Sequence, residues 1–203
     1  MIITWYGQAC FLVEAQEGTL ALDPYCKDEM IRLPDLSLTA DRVLCSHEHH
    51  DHNNRAAVTL TGAKDAFQIR SIDTYHDLQQ GALRGKNLIH VIFTEGMKLV
   101  HMGDYESGLT EETMEIIRHP DILMINVGGF EASQAEFAQQ LCQSLEPRIV
   151  LPMHYRTENI GFYKMGTVEE FLQYREQIVY YPTNSLEVTA QTPSQTAVLQ
   201  FIG

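Results

Sequence analysis

The residues most able to do chemistry in this chain lie in one short run, Ser46-His47-Glu48-His49-His50-Asp51-His52. The spacing H-x-H-x-D-H combines imidazole nitrogens with a carboxylate, and these are the usual ligands of zinc, manganese and iron. Alternate side chains of an extended loop can turn to the same side, so His47 and His49 could hold one ion while Asp51 and His52 hold a second. The alternative interpretation is a solvated polar loop, but the spacing favours a metal site.

Further candidate ligands stand where apolar, strand-like runs come to an end. These strand-end positions are Asp23, His47, His76, Asp104 and His154. The end of a strand holds a side chain rigidly, and the loop that follows gives access to it. A single histidine in such a place is usually a packed core residue. Five such positions together with the histidine run favour a shared metal centre.

We assign the candidate ligands to two divalent metal ions. The first set is His47, His49 and His76. The second set is Asp51, His52 and His154, and Asp104 bridges the two ions. Nitrogen and oxygen ligands without thiolate fit Zn²⁺ best, with Mn²⁺ and Fe²⁺ as alternatives. Three protein ligands for each ion and one shared carboxylate leave room for water, which is typical of catalytic sites.

The chemistry that such a pair of ions supports is hydrolysis. Two adjacent metals can hold a hydroxide at neutral pH and polarise a carbonyl or phosphoryl oxygen. Asp51 is the candidate catalytic carboxylate, which orients this hydroxide or takes its proton. We therefore expect attack of the hydroxide on an ester, lactone or phosphoester.

The composition is that of a soluble globular protein, and we expect one domain over residues 1–203. The formal net charge of −13 disfavours nucleic acid and anionic membranes as partners. No apolar run is long enough to span a membrane, and the first residues lack the basic segment of a signal peptide. The four cysteines are scattered without a C-x-x-C pair, as in a reducing compartment. A cytoplasmic location is therefore expected.

Short apolar or alternating runs predict a chain that is rich in β-strands. The expected strands cover residues 2–6, 10–15, 19–22, 43–45, 66–75, 87–93, 97–102, 121–127 and 149–151, with three more after residue 178. Helices are expected over residues 53–60 and 110–118, from Ser133 to Leu145 and after Thr167. Ser133 with Glu136, and Thr167 with Glu170, have the spacing of capping boxes.

The candidate ligands also follow one another in a familiar order along the chain. Asp23, the H-x-H-x-D-H run, His76, Asp104 and His154 resemble the five ordered motifs of the metallo-β-lactamase superfamily. Six shorter stretches are similar to a branch of small bacterial hydrolases that includes the ascorbate-6-phosphate lactonases: 4–8, 23–24, 84–87, 101–104, 127–129 and 152–155. The resemblance implies an α/β fold, a four-layer αβ/βα sandwich in which two mixed β-sheets lie face to face with helices outside. It places the metals at one edge.

The resemblance also bears on residues around the ligands. It implies that Asp23 fixes a ligand histidine from behind rather than binding metal directly. Position 8 is Gln8, where the branch often has a histidine, so it is open whether this position has the role here that the histidine has in the branch. The interval between His52 and His76 is short for the superfamily, so the loops that shape substrate pockets in other members are expected to be shorter here. Two alternatives follow: an open site, or one completed by a neighbouring subunit of a homo-oligomer.

Four residues close to the candidate ligands are candidates for substrate binding. They are Arg84, Asn87, Tyr155 and Arg156. An arginine fork suits an anionic group, so the expected partner is a small anionic metabolite. The alternative is that all four are ordinary surface-loop residues.

Two other functions are compatible with the same residues. One is a phosphodiesterase or nuclease of the same fold, against which the acidic charge and the absence of a basic stripe argue. The other is a non-catalytic metal-dependent binding protein, because a fold does not determine an activity.

Overall fold

The computed structural model describes residues 1–129 and 133–202, and most of its regular structure is β-sheet. The first seven strands are β1 (Ile2–Gly7), β2 (Cys10–Ala15), β3 (Gly18–Leu22), β4 (Leu38–Ala40), β5 (Arg42–Leu44), β6 (Val58–Leu60) and β7 (Gln68–Tyr75). The other seven are β8 (Lys86–Thr94), β9 (Met97–His101), β10 (Ile122–Asn126), β11 (Ile149–Met153), β12 (Ile178–Tyr181), β13 (Ser185–Glu187) and β14 (Gln195–Leu199).

Two mixed sheets contain most of these strands. The smaller sheet has the order β13-β1-β2-β3-β5, antiparallel except for the parallel pair β3 and β5. The larger sheet has the order β12-β14-β11-β10-β9-β8-β7, and only the pairs that include β8 are antiparallel. As a result β7, β9, β10 and β11 run in the same direction, and their carboxyl ends meet at one edge of the larger sheet.

The core between the sheets explains why they lie face to face. Apolar side chains of both sheets, such as Phe11 of β2 and Leu99 of β9, belong to one buried cluster. Two ring pairs cross from one half to the other: Phe11 packs edge-on against His101 at 6.2 Å, and Trp5 stacks on Tyr155 at 5.2 Å. The sandwich of two mixed sheets expected from the resemblance is confirmed.

One predicted element is wrong. A helix was expected over residues 53–60, but only a single 3₁₀ turn forms, over Arg55–Ala57. The next residues form β6, which pairs in parallel with β4 as a separate two-stranded sheet. The reason is that Val58 and Thr59 are β-branched and favour an extended backbone, and the pairing with β4 outweighs the helical tendency of the preceding alanines.

The structure has three α-helices in its described residues, α1 (Glu111–Ile117), α2 (Ser133–Leu145) and α3 (Val168–Leu172). All three agree with the predicted helices, and α2 packs against α3 and β10. The predicted capping box of Thr167 and Glu170 is present at α3, whereas the side chain of Ser133 lies outside the described residues. Over residues 1–129 and 133–202, no helix combines the length and apolar character needed to cross a membrane.

Candidate metal centre

One carboxylate oxygen lies at the centre of the candidate site. Oδ2 of Asp104 faces the Nε2 atoms of four histidines, at 3.1 Å from His76, 3.3 Å from His52, 3.5 Å from His154 and 3.9 Å from His47. His47 and His52 belong to the 47–52 run, whereas His76 and His154 come from two distant parts of the chain. The side chain of Asp104 is buried, with 5% of its surface exposed. The carboxyl ends of β5, β7, β9 and β11 deliver these residues, because each strand stops a few positions before its ligand.

Six of the seven candidate ligands form two groups of three around the seventh, Asp104. His47, His49 and His76 place one ligand atom each within 4.8 Å of one another, and so do Asp51, His52 and His154. Oδ2 of Asp51 lies 3.5 Å from Nε2 of His154 and 3.6 Å from Nε2 of His52. The two groups are the sets assigned from the sequence, and ligation itself stays a prediction.

The nitrogen atoms that face into this site are better placed to bind metal ions than to form hydrogen bonds within the protein. Nε2 of His47 and Nε2 of His52 are buried and have no hydrogen-bond partner. The opposite nitrogen of each ring is held, since Nδ1 of His47 lies 2.9 Å from Oγ of Ser46 and Nδ1 of His52 lies 2.7 Å from Oδ2 of Asp23. A ring whose Nδ1–H is engaged presents its Nε2 lone pair to a cation. The residues present therefore fit a pair of divalent ions.

Asp23 supports two of the histidines from behind. Its carboxylate accepts hydrogen bonds from the backbone N–H of Ser46 at 2.6 Å and from Oγ of Ser46 at 2.5 Å, in addition to the contact with His52. Burial disfavours its charge, but His101, His52 and Ser46 outweigh this effect and lower the pKa of Asp23 to about 2. Asp23 thus lies behind the candidate ligands, and its role in fixing them stays a prediction.

The ionisation of His47 and Asp104 suits metal binding, whereas His52 must first lose a proton. Burial lowers the pKa of His47 to about 3, so its imidazole is neutral at neutral pH. Burial disfavours the charge of Asp104 as well, but the imidazoles of His154 and His52 hold its pKa well below the ordinary value. Burial also opposes protonation of His52, yet Asp104 and Asp23 raise its pKa well above the usual range. A metal that binds His52 must displace this proton, so binding would release protons.

Asp104 is itself fixed by two asparagines. Nδ2 of Asn126, at the end of β10, donates to Oδ1 of Asp104 at 2.7 Å, and Oδ1 of Asn87 accepts from the backbone N–H of Asp104 at 3.0 Å. The preceding Gly103 has φ +56°, and a Cβ there would collide with Asn87 and Ser46. The sequence interpretation missed Asn126, although a polar residue at the end of the apolar run Ile122–Asn126 was a signal.

Three of the four candidate substrate-binding residues are placed elsewhere. Asn87 is fully buried, and its Nδ2 donates to Oγ1 of Thr74 and to the carbonyl of Met102. Tyr155 is 2% exposed and stacks on Trp5. This burial contradicts the expected substrate contact of both residues, because their polar atoms or rings already serve the core. Arg156 donates to the carbonyl of Met165 and lies outside the cavity lining.

Arg84 is the candidate substrate-binding residue that does reach the site. It lines a cavity of about 860 Å³ that opens onto His49, Asp51, His76, Asp104 and His154. Nη1 of Arg84 lies 3.5 Å from Oε1 of Glu106, so its charge is partly engaged within the protein.

Gln8, at the position where the related hydrolases often have a histidine, also reaches the candidate metal centre. Its Nε2 lies 3.2 Å from Oδ2 of Asp51 and 3.4 Å from Nε2 of His154, and the side chain is buried. Gln8, Asp23 and His154 all have left-handed backbones, with φ of 47°, 43° and 55°. Non-glycine residues in this conformation are strained and concentrate at functional sites.

The comparisons with known proteins agree with this geometry. The family model described as the beta-lactamase superfamily domain matches residues 2–154. The chain belongs to this superfamily. A UPF0173 protein of Pyrococcus furiosus is 26% identical in an alignment that covers 84% of this chain and 89% of the relative.

Another superfamily relative, a UPF0173 metal-dependent hydrolase of Thermoplasma acidophilum, is 22% identical and covers 76% of this chain and 83% of its own length. Among solved structures, an inferred Zn-dependent hydrolase of the metallo-β-lactamase superfamily from Thermotoga maritima has a TM-score of 0.74 at 28% identity. That match covers 98% of this chain and 97% of the other. The superfamily member described here thus has metal-dependent hydrolases among its relatives.

Proposed function

We propose that the protein is a dinuclear metal-dependent hydrolase that cleaves an ester, lactone or phosphoester bond of a small molecule. The observation that carries the proposal is the position of Asp104, whose Oδ2 lies between two groups of three candidate ligands. The cofactors would be two divalent ions, Zn²⁺ by donor chemistry, with Mn²⁺ and Fe²⁺ as alternatives. The descriptions of the relatives as metal-dependent hydrolases support the same class.

The division of labour among the residues follows from their positions. His47, His49 and His76 would hold one ion, and Asp51, His52 and His154 the other. When bound, two such ions activate water at neutral pH and polarise the oxygen of the scissile bond. Asp51 lines the cavity and is ionised, so its carboxylate can orient the attacking water and accept a proton. Asn126 and Asn87 keep Asp104 in place during this reaction.

An anionic group on the substrate remains part of the proposal, with Arg84 as its partner. Arg84 lines the cavity, but its guanidinium is 3.5 Å from the carboxylate of Glu106. An anionic substrate would have to share or replace this contact.

Turnover with and without metal tests the proposed function. The purified protein would be assayed against lactones, phosphodiesters and thioesters, before and after chelation and after addition of Zn²⁺, Mn²⁺ or Fe²⁺. We expect activity on at least one class of bond, its loss on chelation and its recovery with metal. Full activity in metal-free protein would contradict the proposal.

A further inference from the structure

The cavity beside the metal centre has an apolar wall. Its apolar side chains are Leu78, Leu83, Tyr105 and Phe137. Two of them adjoin candidate ligands in the chain, since Tyr105 follows Asp104 directly and Leu78 is two residues after His76. Consecutive Cα atoms are only about 3.8 Å apart, so the wall begins next to the reacting centre. The volume of about 860 Å³ lies within the range of cavities that take drug-sized ligands.

One half of this wall is carried by a loop that is folded in advance. Asp77 is 3% exposed, and its carboxylate accepts four backbone N–H groups of its own loop. Oδ1 binds Gln79 and Gly81 at 2.7 and 2.9 Å, and Oδ2 binds Leu83 and Arg84 at 3.0 and 2.7 Å. Burial opposes the charge, but these amides outweigh it and lower the pKa of Asp77 to about 2. The loop over residues 77–85 therefore has a defined shape.

This loop holds two leucines in water at the mouth of the cavity. Leu78 is 78% exposed and Leu83 is 69% exposed. Two large apolar side chains held open beside a catalytic centre are more informative than scattered surface leucines. A ligand that covers these two leucines would remove their apolar surface from water.

The other half of the wall is a pair of aromatic rings. Tyr105 and Phe137 stack with centroids 6.0 Å apart and an interplanar angle of 24°. Tyr105 is 9% exposed, and burial raises the pKa of its hydroxyl. Both residues line the cavity, so their rings add apolar surface to its wall.

The charges around the cavity disfavour any anionic part of the substrate beyond one group that Arg84 could meet. Arg84 is the only lysine or arginine that lines the cavity among the residues the structure describes, and it is paired with Glu106. The charge of Asp77 is used by backbone amides, and Asp51 and Asp104 belong to the proposed ligand sets. Away from the metal centre, the cavity thus offers a substrate apolar contacts together with the neutral polar side chains of Gln79 and Gln134.

We propose that the substrate is an ester or lactone with an apolar acyl or alkyl body, which packs against Leu78, Leu83, Tyr105 and Phe137. This inference rests on the proposed function, because the scissile bond must lie at the metal centre. The expected occupant of the wall is a small apolar group, because the wall begins beside the ligands and the described part of the chain places no lysine or arginine in the cavity lining except Arg84, which pairs with Glu106.

A chain-length series tests the inference. The metal-loaded protein would hydrolyse p-nitrophenyl esters whose acyl chain is lengthened stepwise from acetyl to octanoyl. We expect kcat/KM to rise roughly three- to fourfold per added methylene, the factor for burial of one CH₂, until the wall is covered. In the double variant Leu78→Ser/Leu83→Ser the increase should fall below about twofold per methylene. The matched control Leu60→Ser changes a leucine that is 57% exposed and outside the cavity, and should keep the wild-type slope.

Direct binding separates this inference from the proposed function. Isothermal titration of metal-free protein with methyl octanoate should give a measurable Kd that weakens at least about fivefold in the double variant. Binding of this kind without turnover of any ester would uphold the apolar wall and contradict the hydrolase. Turnover with a kcat/KM that does not change with acyl chain length would support the hydrolase and contradict the inference that the wall binds an apolar group. If the double variant instead converts a dimer to a monomer in sedimentation and keeps the chain-length slope, a second copy covers the leucines and the inference is wrong.

Discussion

Nδ2 of Asn126 donates a 2.7 Å hydrogen bond to Oδ1 of Asp104 and thereby turns the other oxygen, Oδ2, toward the histidines. The orientation of the amide is defined, because Oδ1 of Asn126 accepts from the backbone N–H of Gly128 at 3.2 Å. The carboxylate that we propose to bridge the two ions therefore depends on a residue outside the proposed ligand set.

Replacement of Asn126 should weaken the metal centre more than the fold. In Asn126→Ala we expect a loss of about 10- to 100-fold in metal affinity, as for other residues that support ligands, and a loss of about 1 kcal/mol in unfolding free energy. Zinc competition with a chromophoric chelator measures the affinity, and urea unfolding of the metal-free protein measures the stability.

The control for this variant is Asn184→Ala, which removes a side-chain hydrogen bond to the carbonyl of Trp5 away from the ligands. It should cost similar stability and leave metal affinity unchanged. Equal metal affinity in Asn126→Ala and in the wild type would show that Asn126 does not support the centre.

Asp23 should act through His52 and Ser46 and not as a ligand. Asp23→Asn keeps the size of the side chain, but its amide cannot accept all three hydrogen bonds that the carboxylate accepts. We expect a metal affinity lower by about 10- to 100-fold with the metal stoichiometry unchanged at saturation. Loss of one whole equivalent at saturating metal, measured by elemental analysis, would identify Asp23 as a direct ligand.

Arg84 should affect anionic substrates selectively if it leaves Glu106 to meet them. In Arg84→Gln we expect the KM for a carboxylated ester to rise about tenfold, with little change for the neutral ester of the same chain length. Steady-state kinetics on such a matched pair measure both values. Equal changes for the two esters would mean that Arg84 serves the loop and Glu106 and does not bind substrate.

His90 should make the stability of the metal-free protein depend on pH. It is 2% exposed, and burial lowers the pKa of its imidazole from 6.5 to about 4. Below about pH 6.5 the unfolded chain binds a proton that the folded protein takes up only near pH 4. The contribution of His90 to the free energy of unfolding should therefore have its full value above about pH 6.5. It should decrease by roughly 3 kcal/mol as the pH is lowered from about 6.5 to about 4.

Urea unfolding at several pH values, in the presence of a chelator, measures this dependence. The variant His90→Gln removes the titrating group, so its unfolding free energy should fall less steeply with decreasing pH than that of the wild type. Parallel curves for the two proteins would contradict the assignment to His90, whatever the absolute stability of the variant.

The sequence predicted the strand ends well, because apolar runs stop at polar residues regardless of their tertiary partners. Asp23, His76, Asp104 and His154 each follow a strand of the structure as expected. The mistaken helix near residue 58 has the opposite cause, since pairing of β6 with β4 is a long-range contact that local propensity does not reveal.

The outer parts of the site were less predictable. Asn87 and Tyr155 neighbour candidate ligands in the chain, but the direction of a side chain from a strand or loop depends on packing, which buried both residues. The support of Asp104 by Asn126 joins residues from β10 and the loop after β9, and the spacing of residues gives no sign of such a pair. Short motifs predict ligands better than they predict the residues that hold them.

Anomalous diffraction from crystals grown with Zn²⁺, recorded on both sides of the zinc edge, tests the central claim most directly. We predict two peaks per chain about 3.5–4 Å apart, as in other two-metal sites, with the carboxylate of Asp104 between them. One peak should lie among His47, His49 and His76, and the other among Asp51, His52 and His154. A single peak, or peaks remote from Asp104 while these side chains stay uncoordinated, would contradict the dinuclear centre.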